Sequence, residues 1–126
     1  MERENRLRRR ADFARVRAGG TSYPHRLMIL AVVPNGLQLC RFGFITGRRV
    51  GNAVRRNRVR RLMREAVRKN LAHIVVGWDC VLIAREPLAS LGLPAADGAL
   101  VQLLRTANLW RSTPAEDRQA CGKAGR

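Results

Sequence analysis

Apolar residues occur in two kinds of pattern along the chain, and each pattern predicts a type of element. Continuous apolar runs at Leu27–Val33 and Gly77–Arg85 are typical of strands, and the second is apolar enough to be buried on both faces. A further strand is predicted over Leu37–Thr46. The Asn-Gly pair at 35–36 is the strongest short hairpin signal, so the strands on either side of it are predicted to pair antiparallel.

Two helices are predicted in the first 71 residues. A short one covers Ala11–Arg17, with Asp12 in its first turn and Gly19–Gly20 behind it, where a left-handed glycine is expected to end the helix. A longer one covers about residues 53–71. Its apolar residues recur three and four positions apart and form a single stripe: Val59, Leu62, Met63, Ala66 and Val67.

A third helix is predicted from an N-cap at Asp97 to about Asn108, after a loop over Pro87–Pro94. The resulting order of helices and strands predicts a single α+β domain over residues 1–111, with one sheet and packed helices. Residues 112–126 are small and polar and are predicted to be a disordered tail.

The charge of the chain adds a partner to this picture. Lys and Arg total 25 and Asp and Glu total 9, so the net charge is +16, and 23 of the 25 basic residues are arginine. A hydrophobic content of 46% excludes a disordered basic tail. Nucleic acid is the first candidate partner and an anionic membrane surface the second. Arginine suits forked contacts with phosphate, although a GC-rich coding bias predicts the same preference.

The basic residues are concentrated on one helix. Ten of them lie between Arg48 and Lys69, where Glu65 is the only acid. The face of the second helix opposite its apolar stripe contains Asn57, Arg60, Arg61, Arg64 and Arg68. Like charges four residues apart destabilise a helix by roughly 0.2–0.5 kcal/mol per pair, whereas a merely solvated face mixes signs. The pattern therefore favours a face that binds phosphates.

Other classes of function find little support. The longest apolar run is seven residues, far too short to span a bilayer, and no signal-peptide pattern is present, so we expect a cytoplasmic protein. Cys40 and Cys80 lie in apolar runs and are predicted to be buried. The acids are scattered, and neither His25 nor His73 has metal-ligand spacing to another residue. We therefore expect no catalytic residue and no metal site in the protein itself.

Residues 48–65, here called the signature segment, read Arg-Arg-Val-Gly-Asn-Ala-Val-Arg-Arg-Asn-Arg-Val-Arg-Arg-Leu-Met-Arg-Glu. This segment resembles the signature of bacterial ribonuclease P protein subunits: two basic residues, an apolar residue, Gly-x-Ala-Val, x-Arg-Asn-Arg, and then further basic residues. Asp12-Phe13, Arg41-Phe42-Gly43-Phe44 and Val81–Arg85 agree with the same family. The resemblance covers about residues 6–110.

The resemblance implies an α/β sandwich of order αβββαβα, with one mixed sheet and an unusual left-handed crossover between parallel strands. It also implies that a catalytic RNA subunit, with Mg²⁺, removes the 5′ leader of precursor tRNA. The protein would bind no cofactor by itself. Its partners would be the ribonuclease P RNA and precursor tRNA, with no membrane and no DNA expected.

Site residues follow from the resemblance by position. The RNA-binding residues would be Arg48, Arg49, Asn52, Arg56, Asn57, Arg58, Arg60, Arg61, Arg64 and Arg68. A cleft for the leader would contain Phe13 and Arg17. Arg17 and Ala31 stand where relatives frequently have aromatics, so we expect the cleft to hold the leader more by charge than by base stacking. The alternatives are a structural RNA-binding protein of ribosomal type, which the composition also fits, and a protein-only nuclease, which the scattered acids disfavour.

Overall fold

Three helices and four strands follow one another in the order αβββαβα in the computed structural model, which describes residues 5–114. The helices are α1 (Arg10–Gly19), α2 (Ala53–Asn70) and α3 (Leu93–Thr106). The strands are β1 (Thr21–Pro24), β2 (Met28–Pro34), β3 (Arg41–Thr46) and β4 (Trp78–Ala84). The predicted fold class, one mixed sheet with helices in an α+β order, is confirmed. The hand of the crossover through α2 stays a prediction.

The strand order is β1-β2-β4-β3, and this shows that the predicted hairpin is wrong. β2 pairs antiparallel with β4, and β3 pairs parallel with β4, so the last strand lies between the two that the Asn-Gly signal seemed to join. The turn itself exists, with Gly36 at φ +71°, but it carries the chain past the first residues of β4. The Asn35 backbone N–H donates to the carbonyl of Gly77 just before that strand, at 2.9 Å.

β4 takes the central position because its side chains are apolar on both faces, as predicted. On one face, Cys80 and Leu82 join a large core beneath α2 and α3 that also contains Phe42 and Met63. On the other face, Val81 joins a smaller cluster beneath α1, made with Leu7, Val16 and Ala31. The sheet therefore has a helix layer on each side, and α1, with Leu7 of the segment before it, covers the second face.

Several element ends differ from prediction. Gly20 is extended at φ −91° rather than left-handed, and it is needed for space, because a Cβ there would lie 2.4 Å from the Val16 carbonyl oxygen. The short edge strand β1 follows it and has no apolar signal. Helix α3 begins at Leu93 behind Gly92, so Asp97 is not its N-cap, and a 3-10 turn over Glu86–Ser90 occupies part of the predicted loop. Asp97 instead accepts a hydrogen bond from Asn70 at 2.6 Å and joins α3 to α2.

The remaining predictions concern the cysteines, the membrane and the tail. Cys40 and Cys80 are buried as predicted, and burial raises the pKa of the Cys80 thiol, so this free thiol stays protonated. Among residues 5–114, no helix is long and apolar enough to cross a membrane. Residues 112–114 have no regular structure, and the rest of the predicted tail lies outside the described residues.

Candidate RNA interface

The signature segment begins with a tight turn that leads from the sheet into α2. Arg48–Val50 form one 3-10 turn, and Gly51 follows at φ +138°, a conformation that L side chains rarely adopt. The Asn52 side chain then caps α2, because its Oδ1 accepts the backbone N–H of Arg55 at 3.0 Å. Asn52 therefore has a structural role at the position where the resemblance implies RNA binding, and it leaves Arg48 and Arg49 exposed beside the end of β3.

Some arginines of the signature segment are held by the protein itself. Arg58 donates to the backbone carbonyls of Ala89 and Leu91, each at 3.0 Å, and so fixes the turn that precedes α3. Arg60 donates to Thr46 Oγ1 at 2.7 Å and also to the side chain of Asn57. These contacts position α2 against its neighbours and reduce the donors that these side chains have left for RNA.

Two further basic side chains of α2 have partners. Arg68 forms an ion pair with Glu65, one turn earlier, at 2.7 Å. Arg56 donates to the carbonyl of Gly51 at 3.3 Å. The predicted line Arg60–Arg64–Arg68 is therefore not a row of unpaired cations, because its first member is bound at the edge of β3 and its last is neutralised.

Within the signature segment, four arginines have exposed side chains with no side-chain hydrogen bond or ion pair to any described residue: Arg48, Arg49, Arg55 and Arg61. They lie in the turn before α2 and along its first three turns. Each offers a planar set of N–H donors that fits phosphate in a forked geometry. Arg55 was not predicted as a site residue, although its position inside the signature segment was a usable signal.

Arg64 has a partly buried guanidinium. Its carbon Cζ lies 5.9 Å from the centre of the Phe44 ring, and its Nε is buried without a hydrogen-bond partner among the described residues. Burial lowers the pKa of Arg64, and three neighbouring guanidinium groups lower it further: Arg6, Arg60 and Arg61. A phosphate at this site would relieve the repulsion among these four charges.

The predicted leader cleft lies between α1 and β3, the edge strand on this side of the sheet. Phe13 projects from α1 onto β3 at Gly43, where a Cβ would lie 2.4 Å from two atoms of its ring. A depression on the solvent side of Phe13 also contains Arg17 and Ile45. Ala31 is 2% exposed beneath α1, so this position offers no surface to a base.

A second groove of about 470 Å³ continues from the cleft to the signature segment. The two depressions share Arg17 and Ile45. The floor of the groove is formed by the isoleucines that face away from α2, and its rim is basic except for Glu86. Floor and rim comprise Ile29, Ile45, Ile83, Arg17, Arg48, Arg49 and Arg85. Sequence reasoning missed Arg85 and the three isoleucines, which only the alternation of side chains along adjacent strands could have revealed.

A buried carboxylate holds α1 against this surface. Asp79, at the start of β4, is 0% exposed and accepts two hydrogen bonds from Arg41, at 2.8 and 2.7 Å, and one from Asn35 at 2.9 Å. It also accepts from Arg15 of α1. Burial alone would raise the pKa of this carboxyl, but hydrogen bonds from Arg41 and Asn35 outweigh it and hold the pKa below its ordinary value.

Comparison with known proteins decides the family. The sequence profile of the ribonuclease P family matches residues 1–108. The chain belongs to the ribonuclease P protein family. It is 41% identical to the ribonuclease P protein component of Roseiflexus sp. strain RS-1, covering 90% of this chain and 93% of the relative, and 39% identical to that of Dehalococcoides mccartyi strain ATCC BAA-2266, covering 86% and 89%.

Solved structures of family members have the same fold. The ribonuclease P protein of Staphylococcus aureus superimposes with a TM-score of 0.77 at 28% identity, covering 85% of this chain and 98% of that one. The protein of Thermotoga maritima gives 0.74 at 31% identity, covering 80% and 96%. The chain is thus a protein subunit of the ribonucleoprotein endoribonuclease ribonuclease P, as the resemblance of the signature segment implied.

Within the family, the site residues themselves stay a prediction, but the structure sorts them. Arg48, Arg49 and Arg61 have exposed, unpaired side chains, while Asn52, Arg58 and Arg60 also hold the fold together. Phe13 and Arg17 lie together in one cleft. Among residues 5–114, no group of three or more His, Cys, Asp or Glu side chains could hold a metal ion.

Proposed function

We propose that the chain binds the ribonuclease P RNA through the exposed arginines of the signature segment and guides the 5′ leader of precursor tRNA along the cleft and groove. The observation that supports this proposal best is continuity. Arg48 and Arg49 line a groove that leads to Phe13, and the exposed arginines Arg55 and Arg61 follow them along the chain on α2. A single molecule can therefore contact both RNAs at once, as a cytoplasmic subunit of the holoenzyme.

The groove suits a single RNA strand whose sequence is recognised only weakly. Its rim arginines can bind phosphates of any sequence, and its isoleucine floor offers apolar contact without a stacking platform. Phe13 is the one aromatic of the cleft, since position 31 is a buried alanine and position 17 an arginine. Base stacking contributes about 1–3 kcal/mol per base, so a cleft with one aromatic holds a leader mainly by charge.

The protein's part in cleavage is binding rather than bond breaking. The described residues offer no cluster of ligands for a metal ion, so we assign Mg²⁺ to the RNA subunit and route no step through the protein. What this chain supplies is cationic charge at two RNA surfaces, which lowers the repulsion between the catalytic RNA and its substrate. This benefit is largest when Mg²⁺ is too scarce to screen the phosphates.

Cleavage of precursor tRNA at low Mg²⁺ tests the proposal. Three reactions are compared: RNA subunit alone, RNA subunit with protein, and protein alone. We expect strong stimulation by the protein and no cleavage without the RNA. Cleavage by protein alone would indicate a protein-only nuclease, and failure to stimulate the RNA would refute the assignment.

A further inference from the structure

One side chain of the signature segment has no evident role in either packing or phosphate binding. Val54 lies in the first turn of α2 and is 76% exposed. The other large apolar side chain that is exposed among residues 5–114, Leu37, is 43% exposed. The side chains by which α2 packs against its core begin only at Val59.

Folding gives no reason for a valine at this position. Its branched Cβ restricts the side-chain rotamer in a helix, so valine is less favourable there than alanine by several tenths of a kcal/mol. Its exposure shows that little apolar surface is buried in return. Val54→Ala is therefore expected to leave the free energy of unfolding unchanged or to raise it slightly.

The surroundings of Val54 indicate what covers it. On a helix, the residues three, four and seven positions further on share its side, and here these are Asn57, Arg58 and Arg61. The sequence contains no acidic residue from Arg48 to Arg64. A partner that buries this side chain therefore lies beside basic side chains and meets no acidic residue of this segment. The complementary surface is anionic at its rim and apolar at its centre.

An RNA strand has this composition, because phosphates flank the C–H surface of each ribose. We propose that Val54 packs against the ribose surface of the ribonuclease P RNA, between phosphates that the neighbouring arginines bind. This inference rests on the proposed function and adds an apolar contact to it. Phosphate contacts weaken as salt rises because counterions compete for them, whereas an apolar contact does not.

Salt-dependent binding of the full-length protein to the ribonuclease P RNA separates the two kinds of contact. The variants are Val54→Ala, Val54→Thr, which keeps the shape and branching of valine, and Arg61→Ala. We expect both Val54 variants to bind about fivefold to tenfold more weakly at every salt concentration, with the slope of log affinity against log salt unchanged. Arg61→Ala should instead reduce that slope by roughly 0.7–0.9, one phosphate contact.

Leu37→Ala is the matched control, because Leu37 precedes β3 and so lies at the opposite end of the sheet from the start of α2. It should bind like the wild type. Wild-type affinity for both Val54 variants would overturn the inference, and it is also the result expected if a protein rather than RNA covers this residue. A changed salt slope in the Val54 variants would overturn the inference as well. If the wild type itself fails to bind the RNA, the proposed function fails, whereas a normal slope change in Arg61→Ala with unaltered Val54 variants refutes only the valine contact.

Discussion

Gly43→Ala tests whether the contact between α1 and β3 forms the leader cleft. The added Cβ would lie 2.4 Å from two ring atoms of Phe13 and 3.3 Å from the Cβ of Leu7. Carbon atoms in ordinary contact are about 3.5–4.0 Å apart, so the Phe13 ring must move by more than about 1 Å. Overpacking of this kind costs about 1–3 kcal/mol, which exceeds the 0.5–1 kcal/mol or so that alanine gains over glycine in a strand.

Denaturant unfolding measures this cost, and binding of precursor and mature tRNA to the holoenzyme measures its effect on the cleft. We expect Gly43→Ala to lower the free energy of unfolding by about 1–2 kcal/mol and to weaken binding of the precursor more than that of mature tRNA. Gly19→Ala is the control, because position 19 is also on the α1 side of the sheet and a Cβ there meets nothing within 4 Å. It should be neutral or stabilising.

A double-mutant cycle decides whether Phe13 is the cause. In a Phe13→Ala background the ring clash is gone and only the 3.3 Å approach to the Cβ of Leu7 remains, so Gly43→Ala should change the free energy of unfolding by less than about 1 kcal/mol in either direction. Equal costs in both backgrounds would refute the clash. A Gly43→Ala protein as stable as the wild type, with unchanged selectivity for the precursor, would refute the description of the cleft.

Three further outcomes follow from the contacts of the site. Arg58→Ala should lower the free energy of unfolding by about 1–3 kcal/mol, because it removes two hydrogen bonds to backbone carbonyls. Arg61→Ala should leave the free energy of unfolding unchanged and weaken only RNA binding. Equal stability of the two variants in urea titrations would contradict this division. Asp79→Ala should cost about 1–3 kcal/mol, because it removes the hydrogen bonds that the partly exposed side chains of Arg41 and Arg15 donate to this carboxylate. Because the pKa of Asp79 is lowered in the folded state, its ionised carboxylate stabilises the fold above the unfolded pKa of about 4. This contribution to the free energy of unfolding is lost as pH falls through the folded-state pKa. Urea titrations from pH 7 to 2 should show the loss in the wild type and a smaller loss in Asp79→Asn. Gly51→Ala should destabilise by more than about 1 kcal/mol in thermal unfolding, since φ is +138° and its Cβ would meet the Arg55 side chain at 2.7 Å; an unchanged melting temperature would show that the turn adapts.

Local signals in the sequence predicted the elements but not their pairing. The periodicity of α2 and the apolar run of β4 depend on neighbouring residues, so both were predicted closely. The partner of β2 depends on which strand is apolar on both faces, and β4, more than 40 residues further along, takes the place beside it. Asn35 shows the difference well, because it does form a turn, yet its side chain binds Asp79 of β4 at 2.9 Å.

The RNA interface was predictable where the role of a residue follows from its type and its position in the sequence. Arginines on one face of a helix predict phosphate binding, and the resemblance to the family implied the place of Phe13 in the cleft. Helical spacing could not show that Arg58 reaches the carbonyls of Ala89 and Leu91, or that Arg60 binds Thr46, since these partners belong to other elements. The isoleucine floor of the groove likewise comes from three strands that only the folded sheet brings together.

The most direct test of the central claim is the affinity of the ribonuclease P RNA for precursor tRNA and for mature tRNA, measured with and without this protein. Both measurements use one salt and one Mg²⁺ concentration. If the signature segment holds the RNA subunit while the cleft and groove hold the leader, the protein will raise affinity for the precursor well beyond its effect on mature tRNA. Phe13→Ala will reduce that difference by about the contribution of one stacked base, roughly 1–3 kcal/mol, while leaving assembly with the RNA subunit intact. An equal gain for both tRNAs, or a difference that Phe13→Ala leaves unchanged, would contradict the account.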